Sequence, residues 1–464
     1  MNSKIQKTNQ SYLFFIALTA ALGGFLFGYD TAVISGTIGF VKTKFALNTA
    51  MEGWFVSSAL VGCIAGVSMA GELSDRFGRK SSLIVSGVLF SISAIGCALS
   101  TSHTELILYR LVGGVGVGVA SMLSPLYISE VSPAKIRGRM VALYQFAITI
   151  GILCAYFANA TLLELSTTLK LESSGVLHRV IVSEVWRAMF GSETIPAILF
   201  LVLMFFVPKS PRWLAAKNEN EKAEKVLAKI NPGKMVNSEL ESIKTAIAKE
   251  EDSSWGILFS KGIRIAVFAG MGLGILSQFT GINAIIYYGP RIMEEAGIRI
   301  GDALGGQVII GLVNMLSTIY AIIKIDKYGR KKLMLGGITG MFFSLIIVGI
   351  LFYIGKSSGI LLLLFILTFI TSFAIGIGPV IWVLLSEIYP TKVRGRAMSL
   401  ATLSLWIGTA VIGQLVPWML ETLTPAGTFW VFALFCIPVP FILKLLPETK
   451  ELSLEKIEEN WLRD

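Results

Sequence analysis

The sequence predicts an all-α membrane protein, with twelve transmembrane helices in two six-helix halves and short cytoplasmic helices between the halves. Three observations predict it. The chain of 464 residues is 54% hydrophobic and only 15% charged, where a soluble protein carries about 25% charged residues. The charges are gathered into narrow bands separated by long uncharged stretches. Several charged motifs are also written twice, about half a chain apart.

The spans follow from the uncharged stretches: 8–29, 53–71, 81–104, 111–129, 140–163, 265–290, 303–323, 333–355, 357–386, 397–420 and 422–443. A twelfth, 188–208, is broken only by Glu193. Each is long enough to cross the hydrocarbon layer, about 30 Å, which takes about 20 apolar residues. The first run is too long for a cleavable signal, and no small-residue cleavage site follows it before Asp30. With the N-terminus inside, the inner segments hold 31 of the 40 Lys and Arg, so the positive-inside rule puts both termini in the cytoplasm. The +10 net charge then reads as topological bias facing anionic lipid, and calls for no nucleic-acid partner. Cys63, Cys97, Cys154 and Cys436 all fall within spans and read as small buried side chains rather than metal ligands or a disulfide framework.

The repeat sets the halves. "SEVSPAKIRGR" at 129–139 returns as "SEIYPTKVRGR" at 386–396, identical at seven of eleven positions. "GELSDRFGRK" (71–80) is echoed by "KIDKYGRKK" (324–332), and "VPKSPRWL" (207–214) by "LPETKEL" (446–452). Each pair relates one span to the span six later. The expected divisions are residues 1–207, a helical linker 208–263, residues 264–446, and a cytoplasmic tail 447–464. In the linker, Ala223, Val226, Leu227 and Ile230 recur at helical spacing, so two to four short helices are expected beneath the inner face. The repeated acids and arginines, Asp75, Arg79, Glu130, Arg137, Asp326, Arg330, Glu387 and Arg394, form a candidate cytoplasmic gate. Their spacing suggests bridges of Glu130 with Arg137, Glu387 with Arg394, and Asp75 with Arg79.

Polar residues inside hydrocarbon are costly unless they face a partner or a wet cavity. Gln145, Gln278, Asn283 and Asn314 are mid-span amides, and an amide offers both donor and acceptor to a hydroxyl. Spans seven and ten are interrupted by "SQFTGINAIIYY" and "GIGPVIW", and Trp382 offers an aromatic face to the C–H side of a sugar ring. No intramembrane Lys or Arg cluster is available to clamp an anion. Asp30, Arg110 and Glu193 fall at one depth near the outer ends of spans one, four and six. Beside Arg110 the ionised carboxylate is favoured. Deprived of that contact, a desolvated acid takes up a proton. "GGVGVG" (113–118) lies within a span, where glycines permit close helix packing rather than phosphate binding.

Together with "GGFLFGYD", "RLVGGVGVG", "SQFTGINAIIYY" and "GPVIWVLLSEIYP", these motifs resemble the sugar porter family of the major facilitator superfamily over nearly the whole chain. The resemblance implies that Gln145, Gln278, Asn283, Asn314 and Trp382 contact sugar, with Phe27, Tyr287 and Trp406 around the pocket. It also implies Asp30 as the coupling acid, where proton-coupled members have an acid and glucose facilitators an amide. Ile152, Ser277 and Leu405 stand where members carry amides, and Lys209 replaces a usual acid. The implied activity is proton-coupled symport of a neutral monosaccharide, such as D-xylose, D-glucose or a similar aldose. A passive facilitator, a cyclitol symporter and a sugar sensor remain open. The expected partners are sugar, protons and the bilayer, with no cofactor, no metal and no enzymatic activity. The expected setting is a plasma membrane, bacterial and inner, with a monomer as working unit.

Overall fold

A computed structural model describes residues 9–133, 136–169, 175, 178–230, 235–250, 255–260, 263–355, 359–389 and 393–450. The described residues include twelve helices long and apolar enough to cross a membrane. Spans one to six are Gln10–Phe45, Thr49–Phe77, Arg79–Leu99, His103–Val131, Arg137–Thr168 and Val185–Phe206. Spans seven to twelve are Ile263–Glu295, Ile300–Ile325, Arg330–Tyr353, Gly359–Ile388, Arg394–Thr422 and Thr424–Leu445. Several extend well beyond the uncharged stretches. Span one continues 15 residues past Asp30, and span four begins seven residues before Arg110. These two charges therefore sit deep within their helices and not at the outer ends that the charge-free runs suggest. A partnered charge does not terminate a membrane helix, so counting uncharged runs shortens such spans.

The bundle has two ends. The repeated motifs and the linker mark one, called here the basic face. At this face Gly78 and Gly329, the glycines of the repeated turn, both stand at φ near +88° (88° and 87°), a region that residues bearing a Cβ avoid. The linker contributes helices Pro211–Ala216, Asn220–Ile230 and Met235–Glu250 and a 3₁₀ turn at Trp255–Phe259. Ala223, Leu227 and Ile230 are buried, and Val226 packs against them. Trp213 and Leu214 meet Ala223, Leu227, Val236 and Leu240 in a small second core. The linker is docked on span two by the Trp213 indole, which donates to the Asp75 carbonyl at 3.1 Å.

Spans two and four pack backbone to backbone. A Cβ on Gly114 would fall 1.9 Å from the Ala59 carbonyl oxygen, and one on Gly118 would fall 2.3 Å from that of Cys63. The "GGVGVG" run is thus a packing surface, and it brings Arg110 against span two. Near the opposite face the two halves interlock. Span two meets span eleven, where Ser57 donates to Gln414 Oε1 at 2.8 Å and Gln414 Nε2 donates to the Ala50 carbonyl at 3.1 Å. Span five meets span seven, where the Tyr156 hydroxyl donates to the Ile286 carbonyl at 3.1 Å.

The packing predicts that Gly114→Val lowers stability by about 1–3 kcal/mol, the cost of overpacking a tight contact. Gly39→Ala, with nothing within 4 Å of the added Cβ, should leave it unchanged. Thermal unfolding of the two purified variants, followed by size-exclusion chromatography, checks both outcomes.

Candidate functional site

The site is built on helix interruptions. Span seven consists of Ile263–Phe279 and Ile282–Glu295, separated by Thr280 and Gly281. Gly281 has φ of 89°, and a Cβ there would fall 2.4 Å from the Phe432 ring, so both backbone and space require glycine. On an unbroken helix Gln278 and Asn283, five residues apart, would point about 140° away from each other. The break brings them together: Asn283 Nδ2 donates to Gln278 Oε1 at 2.6 Å, and Gln278 Nε2 donates to Ser277 Oγ at 2.9 Å. Span ten is likewise divided into Gly359–Gly376 and Gly378–Ile388. Pro379 sits in the first turn of the second piece, where its missing N–H is tolerated, and Trp382 lies on that piece.

Between the halves lies a cavity of about 840 Å³, its mouth included. Gln145, Gln278, Asn283, Asn314, Phe27, Tyr287, Trp382 and Trp406 all line it. Phe27 of span one and Trp406 of span eleven meet across it, with ring centroids 5.2 Å apart and planes tilted by 45°. Ile152, Ser277 and Leu405, the departures from the family pattern, line the same cavity. So do Thr31, Thr149, Thr318 and Thr409, which sequence reasoning did not single out. Thr31, Thr149 and Thr409 donate to the carbonyls of Phe27, Phe146 and Leu405 on their own helices, at 2.7, 2.8 and 2.9 Å. Their hydroxyls therefore enter the site as acceptors. Threonine is too common in spans for composition alone to have found them. The lining combines neutral amides, hydroxyls and aromatic faces.

A smaller cavity adjoins it, lined among others by Asp30, Arg110, Val56, Cys63 and Val117. Asp30 is 7% exposed and Arg110 3%, and Arg110 Nη1 lies 3.7 Å from Asp30 Oδ1. The guanidinium is held in place by a hydrogen bond from Nε to the Phe55 carbonyl, 3.2 Å. It also lies over the Phe55 and Phe190 rings, 5.6 and 5.7 Å from their centroids. Glu193, 3% exposed, sits where span six is interrupted between Ser192 and Thr194. Its N–H donates to the carbonyl of Phe190, the residue beneath Arg110. Asp30, Arg110 and Glu193 thus occupy one buried layer. Thr31, Tyr287 and Trp406 line both cavities, so the acid and the amide-lined space share a wall.

At the basic face Asp75 pairs with Arg79 at 3.2 Å. The other pairings differ from those that spacing suggested. Glu130 binds Arg79, at 3.0 Å, and Glu387 binds Arg330 through two bonds of 2.8 and 3.0 Å. Arg137 Nε and Arg394 Nη2 instead donate to the carbonyls of Ser132 and Tyr389, both at 3.4 Å. The N-terminus of a neighbouring span, at Arg79 or Arg330, stands beside each acid. The side chain of Asp326 lies outside the described residues. Ser210 and Thr449, the residues that follow "PK" and "PE", each donate a hydroxyl to the acid of their own half, Glu130 and Glu387.

Comparisons with known proteins match the chain along nearly its whole length. A family model described as "Sugar (and other) transporter" matches residues 16–461. The arabinose-proton symporter of Bacillus subtilis is 40% identical over 456 residues, covering 98% of this chain and 96% of that protein. The D-xylose-proton symporter of Escherichia coli is 38% identical over 486 residues, with the same coverage of 98% and 96%. A solved structure of the E. coli xylose transporter in a partially occluded inward-open conformation matches with a TM-score of 0.83 and 37% identity, covering 96% of this chain and 100% of that one. Broken helices around an amide-lined cavity, paired motifs and full-length similarity converge, and the chain belongs to the sugar transporter family.

Proposed function

We propose that this chain carries a neutral monosaccharide, D-xylose, D-glucose or a similar aldose, into the cell by proton-coupled symport with alternating access. The observation that carries the reading is the wall shared by two cavities. Thr31, Tyr287 and Trp406 face both the amide-lined space and the Asp30–Arg110 pair, so a bound sugar and a protonatable acid act on the same side chains. The names of the two symporter relatives support the reading, as does the bias of Lys and Arg toward one face. By that bias the basic face is cytoplasmic, as are both termini, and the membrane is a plasma membrane.

In this reading Gln145, Gln278, Asn283 and Asn314 exchange hydrogen bonds with sugar hydroxyls, and Trp382 stacks against the ring. Phe27, Tyr287 and Trp406 close over it. Ionised Asp30 and Arg110 attract each other and hold span one against span four. A proton on Asp30 removes that attraction and frees span one to shift relative to the sugar. Glu193, in the same layer, is a second stop for the proton. Asp75, Arg79, Glu130, Arg137, Asp326, Arg330, Glu387 and Arg394 act at the cytoplasmic gate. In the present conformation the described Arg79–Glu130 and Arg330–Glu387 pairs stay within their own halves, while the described inter-half ion pair and hydrogen bonds lie toward the opposite face. The working unit is a monomer.

Uptake of labelled D-xylose, arabinose and D-glucose into proteoliposomes, with and without an inward proton gradient, tests the reading. Asp30→Asn should abolish gradient-driven accumulation while sparing sugar binding. Accumulation by the variant, or indifference of the parent to the gradient, would replace symport by facilitated diffusion.

Gln278→Ala should weaken sugar binding by about 1–3 kcal/mol, the loss of one buried hydrogen bond, with equilibrium binding of labelled sugar as the measure. Equal affinity in variant and parent would remove Gln278 from the pocket. Sugar phosphates and uronates should not compete, because among the described residues no cationic side chain lines the large cavity.

A further inference from the structure

Glu52, in the first turn of span two, is fully buried at 0% exposure. It lies near the end of the bundle opposite the repeated motifs. Lys42, at the end of span one, approaches its Oε2 at 2.7 Å. Arg291, from the last turns of span seven, binds its other oxygen. Among the described ion pairs, Arg291–Glu52 alone joins one half of the protein to the other. A hydrogen-bonded seam runs beside it. Thr49 donates to Glu421, Ser57 donates to Gln414, and Gln414 donates to the Ala50 carbonyl. Arg291 is also one helical turn from Tyr287, on the same piece of span seven. Residues four apart share a helix face, so one stiff piece of helix carries both Arg291 and Tyr287, which lines both cavities.

We infer that Lys42, Glu52 and Arg291 form an ionic latch that closes the extracellular gate and sets the balance between the two access states; the inference rests on the symport reading for its sidedness. The chemistry suits a latch that must open on every cycle. An apolar contact of this size would gain on closing and recover nothing on opening. Buried ions instead lose hydration on closing and regain it on opening, so attraction and desolvation largely cancel and the two states stay near balance. Lys42 tunes the balance from within the N-terminal half. With the Glu52 charge removed, Lys42 and Arg291 become two cations facing one point without the carboxylate between them, and closure is opposed. Arg291 and Glu52 are positioning residues: they act on the site through span seven and touch neither the sugar cavity nor Asp30.

The test measures the gate directly, in sugar-free protein. Spin labels at Leu169 and Leu423 are placed on exposed helix ends near the latch face, one in each half, and their separation is followed by double electron–electron resonance. The parent should show a short, closed distance. Glu52→Gln should add a longer, open population, raising the open-to-closed ratio by about tenfold or more, as expected when one partner of a buried pair is removed. Arg291→Gln, altered at the more exposed partner, should do the same, and it serves if the first variant does not fold. Arg291→Lys should restore the parental distribution, which a merely structural defect would not. Unchanged distances in both glutamine variants overturn the latch, even with uptake intact. Conversely, a parent without sugar uptake overturns the transport reading while the distances still report the latch.

Discussion

Hydrocarbon offers no water to a polar group, and the interior of this protein is arranged around that constraint. An ion or amide placed at mid-depth needs either a partner or a wet cavity. Arg110 has three kinds of partner: a carboxylate, a backbone carbonyl and two aromatic faces. Its position in turn depends on Gly114, four residues on, which lets span four approach span two closely enough for Nε to reach the Phe55 carbonyl. The amides Gln278 and Asn283 satisfy part of each other's hydrogen-bonding capacity, and the rest opens on the large cavity. The same constraint therefore explains why spans seven and ten are broken where they are. Backbone freed from a helix is tolerated at that depth only where protein or a cavity receives it.

The duplicated motifs build the same device in each half, with one informative difference. In both halves an arginine at the start of a span holds the acid at the end of the next, and a hydroxyl from the segment after the sixth span of that half binds the same acid. In the C-terminal half Glu448 adds a cap: its carboxylate accepts from the N–H groups of Arg330 and Lys331 at 3.1 and 3.2 Å. A carboxylate at a helix N-terminus satisfies orphan donors and complements the dipole, worth about 0.3–1 kcal/mol. Lys209 stands in the corresponding place of the N-terminal half, and its ammonium lies over Trp213, 5.0 Å from the ring centroid. The first clamp is thus tied to the linker through Trp213, and the second to the segment leading into the tail through Glu448.

The number of spans, the duplication and the cavity lining were legible in the sequence because each depends on a strong local signal. An amide inside an apolar run is conspicuous, and Gln145, Gln278, Asn283 and Asn314 all meet at the one cavity. Pairings between elements were much less legible. Glu130 lies seven residues from Arg137, yet it binds Arg79, because the turn at the basic face places the start of span three beside the end of span four. In the sequence Glu52 does no more than precede the uncharged stretch 53–71. Nothing local shows that the whole of its carboxylate is buried against Arg291, 239 residues away. The depth of Asp30 was misjudged for a related reason, since the length of a helix through a charge depends on a partner supplied by another span.

Span seven gathers these threads within a short piece of chain. Gly281 lets the helix break, Asn283 faces the large cavity, Tyr287 touches both cavities, and Arg291 reaches across to span two, all within eleven residues. A rotation of the piece Ile282–Glu295 about Gly281 would alter the sugar site, the wall beside Asp30 and the inter-half contact together, because one stiff helix carries all three. The energetic demand on such an element is symmetrical. A two-state equilibrium moves from 1:99 to 99:1 for about 5.5 kcal/mol of differential binding, so ligands of ordinary affinity can drive the carrier only if neither state is deeply favoured when it is empty. Charges that regain water on opening, set beside a short seam of hydrogen bonds, meet that demand better than a large apolar interface between the halves would.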